Sequence, residues 1–153
     1  MIKKIKPQKT LSKSIEIQGV GLHCGEKIKL TLNPTPENTG IKFIRTDTNP
    51  RVEIPALSNF ISSTERGTTL EKDGKFIKTT EHLLAALYAA EINNCEIQTN
   101  GPEIPIMDGS SKFFVEAILR VGIVEQTEYQ NLFVVEEVIQ HIDPETGSEI
   151  LLL

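Results

Sequence analysis

The chain has 153 residues, 39% of them hydrophobic, enough for one ordinary domain with a core, although aromatic residues make up only 5% and tryptophan is absent. Its formal charge of −5 is spread over interleaved acidic and basic residues, so it lacks the basic footprint that phosphate backbones require, and nucleic acid is excluded as a partner. The basic start MIKKIKPQKT is not followed by the ~7–15-residue apolar run of a secretory signal, and nothing reaches the ~18 residues of a membrane span, which fits a cytoplasmic protein without a transmembrane segment.

In chain order, a two-residue rhythm predicts half-buried strands at SIEIQ (Ile15, Ile17), KIKLTL (Ile28, Leu30, Leu32) and IKFIR (Ile41, Phe43). Between the first two lies GVGLHCG. It misses the dinucleotide fingerprint at its sixth place, Cys24, and leads into a strand rather than a helix, so it reads as a tight connection with His23 either exposed or facing a cleft. TERGTT, residues 64–69, reads as a polar turn, and TTLEKDGKFIKT as a hairpin about Asp73-Gly74, a dipeptide that takes positive φ readily.

From Thr80 the period becomes helical, with Leu83, Leu84 and Leu87 on one face, Thr79 or Thr80 as N-cap and Asn93-Asn94 to end it. CEIQT returns to strand, with Cys95 a core residue; neither it nor Cys24 has the CxxC spacing of a zinc finger or the company of a disulfide framework. GPEIPIMDGSS is a connection in which Asp108, Gly109 and Ser110 start a second helix, capped by Ser110 or Ser111. Its apolar stripe is Phe113, Phe114, Ala117, Ile118 and Val121, and Gly122 closes it. A polar linker is expected from Val124 to Asn131, followed by LFVVEEVIQHI, the turn DPETG and SEILLL. A hairpin ending on Leu151, Leu152 and Leu153 has nothing to bury it, so the chain reads as a piece of a longer protein.

The expected fold is α+β: a two-layer sandwich, its sheet mostly antiparallel, with two helices on one face. Residues 1–126 form that domain, and 127–153 are a linker and the first hairpin of a truncated second, similar domain.

TTEHLLAALYAA sets a carboxylate beside an imidazole, Glu81 and His82, at a helix start, where positive potential favours the ionised carboxylate and the neutral ring. Those forms suit a general base and a metal ligand, yet first-turn glutamates are common and the pair alone favours a structural role. Neither H-E-x-x-H nor its inverse is present, since Ala86 and Lys78 occupy the places of the second histidine. His23 and His141 are the only other imidazoles, and a catalytic zinc takes three protein ligands, so this chain is not expected to complete a site.

GVGLHCGEKIKLTLNP, NTGIKFIRTD, TTEHLLAAL and EIPIMDGSSKFFVEAI, in this order and spacing, resemble the amino-terminal domain of UDP-3-O-acyl-N-acetylglucosamine deacetylases, zinc amidases of lipid A synthesis, through essentially the whole chain. The resemblance implies two α+β domains with the active site between them, a Zn2+ ligand at His82 and a general base at Glu81. Two further zinc ligands, from an H-K-x-x-D helix, and another catalytic histidine belong to a second domain that is not present here. The resemblance also implies that Gly67 and Thr68 contact the substrate, UDP-3-O-acyl-N-acetylglucosamine, and that the partner this chain needs is the missing carboxy-terminal domain. Relatives usually have Thr at the place of Cys24, which raises the question of a reactive thiol near the cleft. The tail GSEILLL resembles the branch fused to a 3-hydroxyacyl-carrier-protein dehydratase. The competing expectation is a non-catalytic truncated product or interaction domain in which Glu81 and His82 are only structural.

Overall fold

The computed structural model describes residues 2–153, with side chains throughout except at residues 2–5 and 133. Strands β1 (Ile2–Leu11), β2 (Ile15–Val20), β3 (Lys27–Pro34), β4 (Ile41–Arg45), β5 (Val52–Pro55), β6 (Ile61–Ser63), β7 (Thr69–Lys72) and β8 (Lys75–Ile77) precede helix α1 (Glu81–Ala89). Then come β9 (Cys95–Thr99), helix α2 (Lys112–Val121), β10 (Ile123–Phe133), β11 (Ile139–Ile142) and β12 (Glu149–Leu152).

The main sheet has the order β2-β3-β9-β4-β5, antiparallel except where β4 runs parallel to β9. Alternate residues point to one face: Ile15 and Ile17, then Ile28, Leu30 and Leu32, then Phe43, Cys95 and Ile97, all buried. Leu83, Ala86 and Leu87 of α1 and Phe114, Ala117 and Ile118 of α2 complete the same core. The other face is polar, with ion pairs Lys29–Glu16 at 2.6 Å and Lys42–Glu53 at 3.0 Å. Helices on one face of a mostly antiparallel sheet make the α+β sandwich the alternation predicts.

The hairpin about Asp73-Gly74 joins β7 to β8 with φ of 51° and 69°, and β6 completes a three-stranded sheet. Gly122 closes α2 at φ 87°, its N–H reaching the Ile118 carbonyl at 3.2 Å. Other expected boundaries move. Neither Thr79 nor Thr80 caps α1 with its side chain: Thr80 takes the N-cap position in helical geometry and its hydroxyl goes elsewhere. The helix stops at Ala89, before the asparagines, and Glu91 turns the chain at φ 56°.

The expected linker from Val124 to Asn131 is instead part of β10, paired antiparallel with β1, a strand that the irregular KKIKPQKT pattern does not announce. Its polar residues have partners that the sequence hides. Asn94, 1% exposed, donates through its side-chain NH2 to Gln8 Oε1 at 2.8 Å and Gln126 Oε1 at 2.7 Å, and its side-chain Oδ1 accepts the Gly40 N–H at 2.9 Å. A buried amide so satisfied ties the ribbon to the domain. The β11–β12 hairpin pairs with no other strand among the described residues, and its strand residues are exposed.

Candidate active site at the start of α1

The loop 64–69 folds against the first turn of α1. Glu81 Oε2 accepts the Thr68 N–H at 2.8 Å, while the Thr68 carbonyl accepts the Thr80 N–H at 3.2 Å and the Thr80 hydroxyl at 3.0 Å. The two peptide groups flanking Thr68 are thereby both clamped to the helix start. Gly67 makes the approach possible: at φ 150°, a Cβ there would lie 3.3 Å from Glu81 Oε1.

His82 follows with its ring Nδ1 3.7 Å from Glu81 Oε1, too far for a hydrogen bond. Nδ1 is buried and bonded to nothing, although the side chain as a whole is 30% exposed. A buried nitrogen left unpaired is costly, so the ring retains unspent bonding capacity. Metal-binding histidines engage the ion through one ring nitrogen and an acceptor through the other; His82 has a ring nitrogen free for such use and a carboxylate alongside, and no acceptor among the described residues holds its Nδ1. It offers one ligand only: among the described residues no three His, Cys, Asp or Glu side chains gather to hold an ion.

Beside this turn lies a cavity of about 460 Å³ lined by His23, Ser63, Arg66, Gly67, Lys78 and Thr79. Gly67 is the shared wall, facing the cavity on one side and Glu81 on the other. Thr68 meets Glu81 through its backbone N–H. His23 faces the cavity, whereas His141 lies exposed on β11. Asp108 serves the start of α2, accepting the Ser110 N–H at 3.0 Å and its hydroxyl at 2.9 Å.

Sequence reasoning passes over Glu103 and reads Thr79 only as a candidate helix cap. Glu103 is 1% exposed and gathers the N–H groups of His23 and Cys24 and the Thr79 hydroxyl. Burial pushes its carboxyl upward, but the Cys24 and His23 amides, the Cys24 thiol and Thr79 outweigh it and hold the group below the usual carboxylate range. The signal for it was a lone charge inside the otherwise apolar run GPEIPI. Burial, against the opposing pull of a backbone bond at Glu26 and with help from Glu103, pushes the Cys24 thiol up, so it lacks the thiolate character of a reactive cysteine. Cys95 is deep in the core, and burial pushes its thiol up to about 12.

Residues 8–151 match the family described as UDP-3-O-acyl N-acetylglycosamine deacetylase. A Chlorobaculum tepidum protein named bifunctional enzyme LpxC/FabZ is 46% identical over 146 residues, which are 95% of this chain and 31% of that protein. A Myxococcus xanthus protein named UDP-3-O-acyl-N-acetylglucosamine deacetylase is 44% identical over 143 residues, 94% of this chain and 46% of the relative. One of the same name from Hahella chejuensis is 50% identical over 119 residues, 78% of this chain and 39% of the relative. The chain thus spans less than half the length of these curated relatives. With nearly its whole length matched at such identities, the chain belongs to the UDP-3-O-acyl N-acetylglycosamine deacetylase family.

Proposed function

We propose that this chain is the amino-terminal part of a cytoplasmic, zinc-dependent deacetylase that hydrolyses the acetamide of UDP-3-O-acyl-N-acetylglucosamine in lipid A synthesis. The observation that carries the reading is the clamped carboxylate: Glu81 is held by the Thr68 amide at 2.8 Å immediately beside an imidazole with an unpaired buried nitrogen. Family membership supports the substrate, since two relatives of this name are 44% and 50% identical.

In this reading His82 supplies one ligand to Zn2+ and the carboxy-terminal domain supplies the others. Zinc, when bound, acts as a Lewis acid on the amide carbonyl. Glu81 takes the proton of the attacking water, its second oxygen kept on the Thr68 amide so that the carboxylate cannot swing away. In this reading Gly67 and Thr68 contact the substrate, which the place of Gly67 in the cavity wall supports. Acetate and a free amine are the products. We also assign residues 1–126 to the amino-terminal domain and 127–153 to the remainder of β10, which stands in place of the expected linker, and the first hairpin of a second domain. The self-paired, exposed β11–β12 hairpin supports that division.

The test is hydrolysis of the acetamide by the full-length protein, with bound zinc measured alongside. Turnover lost on chelation and restored by zinc supports the reading. A metal-free protein that still deacetylates, or a zinc-loaded one that releases no acetate, defeats it. The 153-residue chain alone is expected to be inactive.

A further inference from the structure

Glu103 takes no part in the chemistry just described, yet its carboxylate stands where two walls of the cavity meet. Its backbone forms an isolated parallel bridge with Lys78: the Lys78 N–H reaches the Pro102 carbonyl at 2.9 Å and the Ile104 N–H reaches the Lys78 carbonyl at 3.0 Å. That places the side chain under the entry to α1. Oε1 accepts the Thr79 hydroxyl at 3.0 Å and the His23 N–H at 3.0 Å; Oε2 accepts the Cys24 N–H at 2.8 Å and the His23 N–H at 3.1 Å.

Three features say that this cluster sets position. Thr79 is β-branched and sits at φ 58°, a conformation that persists only where its surroundings enforce it. Gly21 leaves no slack in the turn: a Cβ there would lie 2.6 Å from Glu103 Oε2 and 2.3 Å from Cys24 Sγ. Finally, the charge is met by amides and hydroxyl rather than by a cation, an arrangement that aims donors at one point. A buried charge is seldom the most stabilising choice for a core, where apolar residues of similar volume serve as well. Its consequence here is geometric: the loop 21–25, with His23 facing the cavity, is fixed relative to the residue two places before Glu81.

We propose that Glu103 is a positioning residue, holding the His23 loop and the Thr79–His82 entry to α1 in register across the cavity. The proposal rests on the reading of Glu81 and His82 as the reacting pair. Glutamine at position 103 keeps the shape but loses the charge: with its carbonyl on the His23 and Cys24 amides, its NH2 falls at the Thr79 hydroxyl, which must turn from donor to acceptor, so the hold on the two walls weakens.

In the full-length protein, Glu103→Gln is expected to lower kcat tenfold or more with KM within threefold of wild type. In a His23→Ala background the same change is expected to cost less than in wild type, because one of the two walls it places no longer carries its side chain into the cavity. Thr79→Ser, which keeps the hydroxyl, stays within twofold of wild type, and Thr79→Val falls at least fivefold; this pair decides the matter if Glu103→Gln does not fold. The same loss in both His23 backgrounds removes the His23 loop from the proposal, leaving the α1 entry alone, and unchanged kcat in folded Glu103→Gln overturns it. So does equal behaviour of Thr79→Ser and Thr79→Val. NMR supplies a readout independent of turnover: the His23 and Cys24 amide signals and the His82 ring signals move in Glu103→Gln, while the Ile150 amide does not. If wild type has no deacetylase activity, the functional reading falls by itself and the spectra decide, with an unmoved His82 ring counting against Glu103.

Discussion

The two helices enter one core but begin in different ways. At α2 the polar groups are met from within the same few residues: Asp108 takes the N–H and hydroxyl of Ser110, and Ser110 Oγ takes the Lys112 N–H at 3.2 Å. At α1 they are met from far along the chain, Thr80 and Glu81 by Thr68, 12 and 13 positions away, and Thr79 by Glu103, 24 positions away. A local cap determines where along the chain a helix starts. Long-range bonds determine where in space it starts, and a base that must meet a water within hydrogen-bond reach needs the second kind of control.

The sharpest way to break this contrast is Glu81→Gln in the full-length protein. The glutamine carbonyl can still accept the Thr68 N–H, so the clamp remains while the basicity goes. Turnover is expected to fall by about 100-fold or more, the size of a lost general base, with zinc content and melting temperature close to wild type. Full activity in that variant makes the long-range bonds at α1 mere scaffolding. Thr80→Val probes the clamp itself. Thr80 is fully buried and its hydroxyl donates to Thr68, but the carbonyl keeps the Thr80 N–H, so the cost is expected near ~1 kcal/mol in urea unfolding, with faster proteolysis of loop 64–69. At α2 the matching change, Ser110→Ala, removes a local cap. It is expected to cost ~0.5–1 kcal/mol and to leave turnover alone. Equal losses of turnover from Thr80→Val and Ser110→Ala erase the distinction between the two starts.

The same division explains what could be read without coordinates. The Asp73-Gly74 hairpin, the Gly122 stop and the alternating strands of the main sheet are encoded by neighbours in sequence, and they stand as expected. The β1–β10 ribbon does not announce itself, because its polar strands are satisfied by Asn94 and Gln8 across 86 positions, and periodicity carries no trace of that pairing. At the site, residue types alone favoured a structural Glu81, and only the resemblance singled out the pair. The Thr68 contact is made by a main-chain N–H, which any residue but proline possesses, so nothing in the sequence could mark it. Glu103 showed only as a lone charge in an apolar run, and its role stayed hidden for the same reason, since the His23 and Cys24 groups that meet it at 3.0 and 2.8 Å are backbone amides.

The far end of α1 extends the contrast with the smallest effect. Glu91, just beyond the helix, meets Lys6 and also Lys9, the latter at 2.6 Å, joining the helix end to β1. These two lysines hold the Glu91 carboxyl at about 2 against an ordinary 4.5. Because the folded value is the lower one, the contribution is fully present above 4.5 and is lost as pH falls from 4.5 toward 2. The carboxylate is 40% exposed, so solvent screens it and the effect stays modest. Glu91→Gln is therefore expected to lower the urea midpoint slightly at pH 7 and by the same amount at pH 5, and the gap to wild type should close as the pH is taken below 4.5. Salt should close it too. A gap that widens on acidification means that the carboxylate is better solvated unfolded than folded, and that β1 is held to α1 by the Asn93 and Asn94 bonds alone.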